Sequence, residues 1–156
     1  MFNLVLVEPE IPPNTGNVAR LALATGSTLH LVQPLGFSID DRQLRRAGMD
    51  YWKNVKVKLW ENFEEFELKI EPSARRFFFS TKVQKPYWDV RFSPKDYLIF
   101  GRETKGLPAS LLARYAEHAF RIPMLPEARS LNLATAVAIV LFEGMRQAST
   151  ADLTNQ

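Results

Sequence analysis

Residues 2–32 read FNLVLVEPEIPPNTGNVARLALATGSTLHLV, and the order of elements within this stretch decides the fold class. Phe2 to Val7 is a short apolar run rich in branched side chains, stopped by Pro9, Pro12 and Pro13, which is the pattern of a buried strand. Asn14 is placed to cap a helix. From Thr15 to Thr25 the positions Val18, Leu21, Ala22 and Thr25 recur at helical spacing, and Gly26 closes the run. Leu29 to Val32 is extended again and ends before Pro34. Strand, helix, strand in so short a span predicts a parallel crossover unit.

The rest of the chain repeats this alternation. Asp40-Asp41-Arg42-Gln43-Leu44-Arg45-Arg46 is acidic at its start and basic at its end, as a helix dipole prefers, and Gly48 terminates it. Val55 to Leu59 alternates with period two and reads as a half-buried strand; Phe63, Phe66 and Ile70 mark one face of an acidic helix that Pro72 breaks. Phe77-Phe78-Phe79 and Tyr97 to Phe100 read as strands, separated by a polar stretch, Lys82 to Pro94, long enough to be a functional loop. Pro108 opens a short helix through Arg114, Phe120 to Ile122 is a last strand, and Leu131 to Gln147 is the closing helix. The expectation is an α/β fold with a mainly parallel sheet flanked by helices.

With 46% apolar and 24% charged residues among 156, the chain has the make-up of one globular domain rather than a disordered segment. Its net charge of +3 is modest, so the placement of cations matters more than their sum. The absence of cysteine excludes disulfides, thiolate metal sites and base methylation through a cysteine adduct. His30 and His118 are the only histidines and lie far apart, so no metal site is expected. Glu8 and Glu10 come directly after the first apolar run, against a signal peptide, and Leu133 to Phe142 is about half of the ~20 residues a spanning helix needs. A soluble cytoplasmic protein without a membrane partner is expected.

Three segments carry chemistry. In Asn14-Thr15-Gly16-Asn17-Val18-Ala19-Arg20 a strand feeds a helix, where free N–H groups meet ligands in open α/β sheets. Phe100-Gly101-Arg102-Glu103-Thr104-Lys105-Gly106-Leu107-Pro108 has glycines at the spacing of a phosphate-binding Walker loop, but Leu107 stands where that motif needs lysine. What remains is a glycine-bounded turn suited to close approach by a ligand. Arg121 to Leu133 is a proline-punctuated loop that leads into a helix whose first turn offers Ser130 and Asn132. Taken singly, each also fits an ordinary capped helix or strand-to-helix loop.

Taken together and in this order, the three segments resemble the motifs of the SPOUT superfamily, and specifically its SpoU branch of RNA ribose 2′-O-methyltransferases. Glu8 to Asn17, Pro34-Leu35-Gly36-Phe37, Asp40-Asp41 through Gly48, and Asp50-Tyr51 are similar to the small tRNA (cytidine/uridine-34) 2′-O-methyltransferases. The resemblance implies one methyltransferase domain over residues 1–156, ordered to about residue 147 with a short tail, a deep C-terminal trefoil knot and a homodimer. It implies transfer of a methyl group from S-adenosyl-L-methionine to the ribose 2′-hydroxyl of the wobble nucleotide in a tRNA anticodon stem-loop. It places Phe79, Gly101, Glu103, Ile122, Ser130 and Leu131 around the cofactor. It matches Arg20 to the arginine that acts on the ribose hydroxyl, across the dimer from its own cofactor, with Asn14, Ser130 and Asn132 as polar neighbours. Two positions depart from the pattern: Arg102 stands where relatives often have proline, and Val83-Gln84 replaces a common glycine. Methylation of rRNA or of another tRNA site, and a catalytically silent RNA-binding dimer, are the alternatives.

RNA contact has two candidate patches. Arg42, Arg45 and Arg46 with Tyr51 and Trp52 pair cations for phosphates with aromatic rings for unstacked bases. Lys82, Lys85, Tyr87, Trp88 and Arg91 form the second.

Overall fold

The computed structural model of the chain describes residues 1–40, 42 and 52–154. Within them, β1 (Asn3–Val7), α1 (Pro12–Thr25) and β2 (Thr28–Val32) form the crossover unit read from residues 2–32. After these come β3 (Val57–Trp60), α2 (Phe63–Lys69), β4 (Arg76–Phe79), β5 (Tyr97–Phe100), α3 (Ala109–Arg114), β6 (Ala119–Phe120) and α4 (Leu133–Thr154). The strands make one sheet in the order β3-β2-β1-β5-β4-β6, and every pairing is parallel. Leu4 lies in register with Leu29 on one side and Leu98 on the other.

Successive residues of a strand face opposite sides of a sheet, and here both sides are covered. Leu4, Leu6, Leu98 and Phe100 point to the face packed by α1 and α4, through Val18, Ala22, Val137, Val140 and Leu141. Val5, Val7, Phe78 and Ile99 point to the other face, packed by Phe66, Leu107, Leu111 and Leu112 from α2, α3 and the loop before α3. This explains why β1 and β5 read as continuous apolar runs.

Several boundaries differ from those read in the sequence. Helix α1 begins at Pro12, with Ile11 in the capping position and no side-chain cap, so Asn14 sits inside its first turn. Proline is suited to that place because it lacks an N–H the helix could not use there. Gly26 does end α1, in left-handed backbone at φ 65°. Strand β3 starts at Val57 rather than Val55, and Leu59 is 46% exposed, because β3 is the sheet edge and is covered on one side only. Strand β6 is confined to Ala119–Phe120, after which Arg121 makes a single bridge with Pro86. Helix α4 begins at Leu133, two residues later than read, because Asn132 caps it: the Asn132 carbonyl oxygen accepts from the N–H of Thr135 at 3.2 Å. Of the helix expected after Asp40, Arg42 is helical and exposed; Arg45, Arg46, Gly48 and Tyr51 lie outside the described residues. Among the described residues no helix is long and apolar enough to cross a membrane.

Candidate active site

The strand order changes direction between β1 and β5, which is where ligands gather in open parallel sheets. The loops leaving the carboxyl ends of β1, β4 and β5 meet there with the segment before α4, and enclose a cavity of about 430 Å³. Its apolar wall includes Phe79 and Phe100, whose rings stack at 5.0 Å, together with Ile122, Leu131 and Leu133. Its polar rim includes Asn14, Thr81, Glu103, Ser130 and Asn132.

Two carboxylates fasten the β1–α1 loop to the β5–α3 loop in opposite directions. Glu103 accepts from the backbone N–H of Glu10 at 2.7 Å and of Ile11 at 3.3 Å. Glu10 accepts from the N–H of Thr104 at 3.2 Å and from its hydroxyl at 2.7 Å. These bonds, the hydroxyl's foremost, hold the Glu10 carboxyl below its ordinary pKa. Glu103 also places negative charge at the N-terminus of α1, the end of a helix that favours it, and thereby replaces the side-chain cap that Ile11 cannot provide. A third tie joins Arg102 to Glu8 at 3.0 Å. The arginine that departs from the family pattern therefore has a partner in the opposite loop.

The β5–α3 loop is closed on itself as well. The N–H of Gly106 donates to the carbonyl of Arg102 at 2.9 Å, and Gly106 is left-handed at φ 63°. A Cβ on Gly101 would lie 2.2 Å from the Gly106 carbonyl carbon and 2.3 Å from the Leu107 nitrogen. Gly101 is thus needed for the loop's own backbone. From the β4 side the Lys82 ammonium donates to the carbonyls of Lys105 at 2.7 Å and Leu107 at 3.0 Å. From the α4 side the Asn132 amide donates to the Asn14 side-chain carbonyl at 3.0 Å, joining the first turns of α1 and α4.

All six residues matched to the cofactor, Phe79, Gly101, Glu103, Ile122, Ser130 and Leu131, line this cavity, as do Asn14 and Asn132. Ser130 lies in the loop before α4 rather than in the helix's first turn. Arg20 does not line the cavity; it is exposed on α1, about 9 Å further along the helix axis than Asn14. Two lysines of the second RNA patch are engaged within the fold. Lys82 is engaged by the carbonyls above, and Lys85 donates to the Glu117 carbonyl at 3.0 Å and lies over the Phe120 ring, because both lysines fasten their loop to neighbouring loops. Trp88 remains 66% exposed. Sequence reasoning misses the clasp of Glu10 on Thr104 and the strut of Lys82; only the acidic, proline-rich stretch ahead of α1 hints at the first. Among the described residues no cluster of His, Cys, Asp and Glu could hold a metal ion.

The sequence model described as the SpoU rRNA Methylase family matches residues 1–142. A tRNA (cytidine(34)-2′-O)-methyltransferase of Burkholderia pseudomallei is 49% identical over 150 residues, 95% of this chain and 96% of that protein. A solved structure described as giving insights into the 2-OH methylation of C/U34 on tRNA superposes with a TM-score of 0.91 at 45% identity, covering 100% of this chain and 98% of the other. An AdoMet-bound rRNA methyltransferase of Sinorhizobium meliloti superposes with a TM-score of 0.82 at 27% identity, over 93% of this chain and 56% of that one.

Proposed function

The chain belongs to the SpoU rRNA methylase family, and from this premise we propose that it methylates the ribose 2′-hydroxyl of nucleotide 34 in tRNA, using S-adenosyl-L-methionine. The observation that carries the reading is the cavity at the β1/β5 switch point, into which three separate segments bring every residue matched to the cofactor. Position 34 rests on the relatives named for it.

The cavity suits the cofactor. Its volume lies within the usual range for small-molecule sites, stacked aromatic rings and aliphatic side chains offer a surface for a flat base, and hydroxyls and loop backbone offer polar contacts. Phe79, Ile122 and Leu131 would hold the base, with Gly101, Glu103 and Ser130 shaping the polar side. When bound, the cofactor supplies an electrophilic methyl group.

The protein's own part is to orient the ribose and to stabilise charge. A guanidinium offers only donors and no acceptor, so Arg20 acts as a donor to the negative charge developing on the 2′-oxygen rather than as a base. Asn14 and Asn132, bonded to one another at 3.0 Å, hold the first turns of α1 and α4 in fixed relation, with Ser130 beside them. Arg20's exposure on α1, outside the lining, fits a homodimer in which it serves the partner's cavity. Phe142, 50% exposed on α4, offers apolar surface for such a contact. We further read one methyltransferase domain acting in the cytoplasm, with the chain after β6 knotted before it returns to pack α4 on α1. Arg42, Arg45, Arg46 and Tyr51 would grip the anticodon stem-loop.

Incubating the purified protein with methyl-labelled cofactor and total tRNA, then mapping the label, tests the reading. Label on the 2′-oxygen of nucleotide 34 is expected; label confined to rRNA, or RNA binding without transfer, would replace it with one of the alternatives. Arg20→Ala is expected to abolish transfer and leave cofactor affinity nearly intact.

A further inference from the structure

We propose that Arg129 is an RNA-backbone clamp at the mouth of the cavity, its guanidinium binding a phosphate of the substrate strand beside the ribose to be methylated. The proposal rests on the methyltransferase reading above and adds to it a residue that the resemblance does not single out.

Among the described residues, three other than glycine hold positive φ: Glu8 at 54°, Lys95 at 75° and Arg129 at 58°. Such backbone is disfavoured for any residue with a Cβ, so each instance calls for a cause. Glu8 is held by its ion pair with Arg102 at 3.0 Å. Lys95 comes after Pro94 in a turn closed by the Asp96 N–H on the Ser93 carbonyl at 3.2 Å, a position where tight turns require positive φ. Arg129 has neither explanation. With φ 58° and ψ −57°, and the Ser130 N–H donating to the Ala128 carbonyl at 2.6 Å, it is the centre of a three-residue γ-turn of the strained kind. Glycine would adopt this conformation without strain, yet the chain carries its largest cation there.

The surroundings impose the turn. The Ala128 N–H donates to the Leu125 carbonyl at 3.0 Å on one side. On the other, Asn132 is fixed by its bond to Asn14 and by capping α4. Strain held in this way clusters at active sites, ligand clamps and switch regions, and the inference runs from the observed outlier to the role. The next three residues, Ser130, Leu131 and Asn132, line the cavity, so Arg129 stands at its rim. Its side chain is exposed, and among the described residues no hydrogen bond, ion pair or ring contact engages it. Lys82 and Arg102 on the lining are, by contrast, engaged by loop carbonyls and by Glu8. A forked, planar cation without an internal anion, presented beside a site for RNA ribose, matches the oxygens of a phosphate.

The test uses the full-length protein and a transcribed tRNA carrying cytidine at position 34. Measured for wild type, Arg129→Gly and Arg129→Lys are tRNA affinity at several KCl concentrations, affinity for S-adenosylhomocysteine, single-turnover methyl transfer and melting temperature. Arg129→Gly is expected to weaken tRNA binding roughly tenfold and to reduce the slope of log affinity against log salt by about 0.7 to 0.9. Its cofactor affinity should stay within about twofold of wild type, and its melting temperature should hold or rise because glycine relieves the turn. Arg129→Lys should keep the salt slope and recover part of the affinity. Unchanged tRNA affinity or an unchanged salt slope in Arg129→Gly would overturn the proposal. So would a joint fall in cofactor affinity and melting temperature, which would make the turn a support for Ser130 alone. A wild-type protein that methylates no tRNA would instead overturn the reading on which the proposal stands.

Discussion

His30 lies in β2 with both ring nitrogens engaged. The Trp60 indole N–H, which can only donate, points to Nδ1 at 3.1 Å, so the proton of the neutral ring sits on Nε2 and is given to the Asn3 side-chain oxygen at 2.9 Å. Burial, reinforced by the Lys58 cation, pushes the pKa of the ring down to about 4. A base held below its unfolded pKa of 6.5 binds its proton more readily in the unfolded chain, so stability is complete above that value and is lost as the pH falls toward 4. At pH 5 this one group should lower stability by about 2 kcal/mol relative to pH 7.5. Urea unfolding at the two pH values, for wild type and His30→Gln, measures it; an equal acid loss in both would refute the assignment. From the sequence, the two distant histidines speak against a metal site, but the hydrogen-bond partners of His30 come from two other strands, β1 and β3, and no local pattern reveals them.

At the scale of elements, the periodicities that locate β1, α1, β2 and β5 succeed because each element buries a complete face or both. They fail at β3, whose edge position leaves Leu59 exposed, and at the starts of α1 and α4, where Pro12 and Asn132 rather than Asn14 and Ser130 set the boundary. The cavity loops are legible as glycine-bounded and proline-punctuated segments. Their mutual fastening is not, because Glu10 and Thr104 are more than ninety residues apart in the chain. Gly101 shows how this matters for function. Its hydrogen faces the returning backbone of Gly106 and Leu107, so Gly101→Ala cannot be absorbed by a side-chain rotation and must open the loop. The expected result is a destabilisation of about 1 to 3 kcal/mol, together with a loss of cofactor affinity that exceeds what the lower fraction of folded protein explains. Calorimetric titration with S-adenosylhomocysteine beside thermal unfolding separates the two; full affinity in the folded fraction would show that the loop does not shape the site.

For the molecule as a whole, the question is whether a cavity is completed by its own chain or by a second copy. Helix α1 brings Asn14 to the lining but leaves Arg20 exposed beyond it, so one helix divides its residues between the cavity it starts in and a different surface. In a two-fold dimer that second surface meets its equivalent, and each protomer's Arg20 would complete the partner's site. Two inactive proteins can decide this. Arg20→Ala keeps its cavity and loses its arginine; Gly101→Ala loses its cavity and keeps its arginine. If the protein is a homodimer, the two unfolded together and refolded in equal amounts would form mixed dimers for about half of the population. If the site is composite, each mixed dimer contains one intact cavity facing one intact arginine, and the mixture recovers roughly a quarter of wild-type transfer. If each chain completes its own site, no combination contains an intact one and the mixture stays inactive. A recovered quarter requires the crossing of α1 from one protomer to the other; a silent mixture would return Arg20 to its own chain.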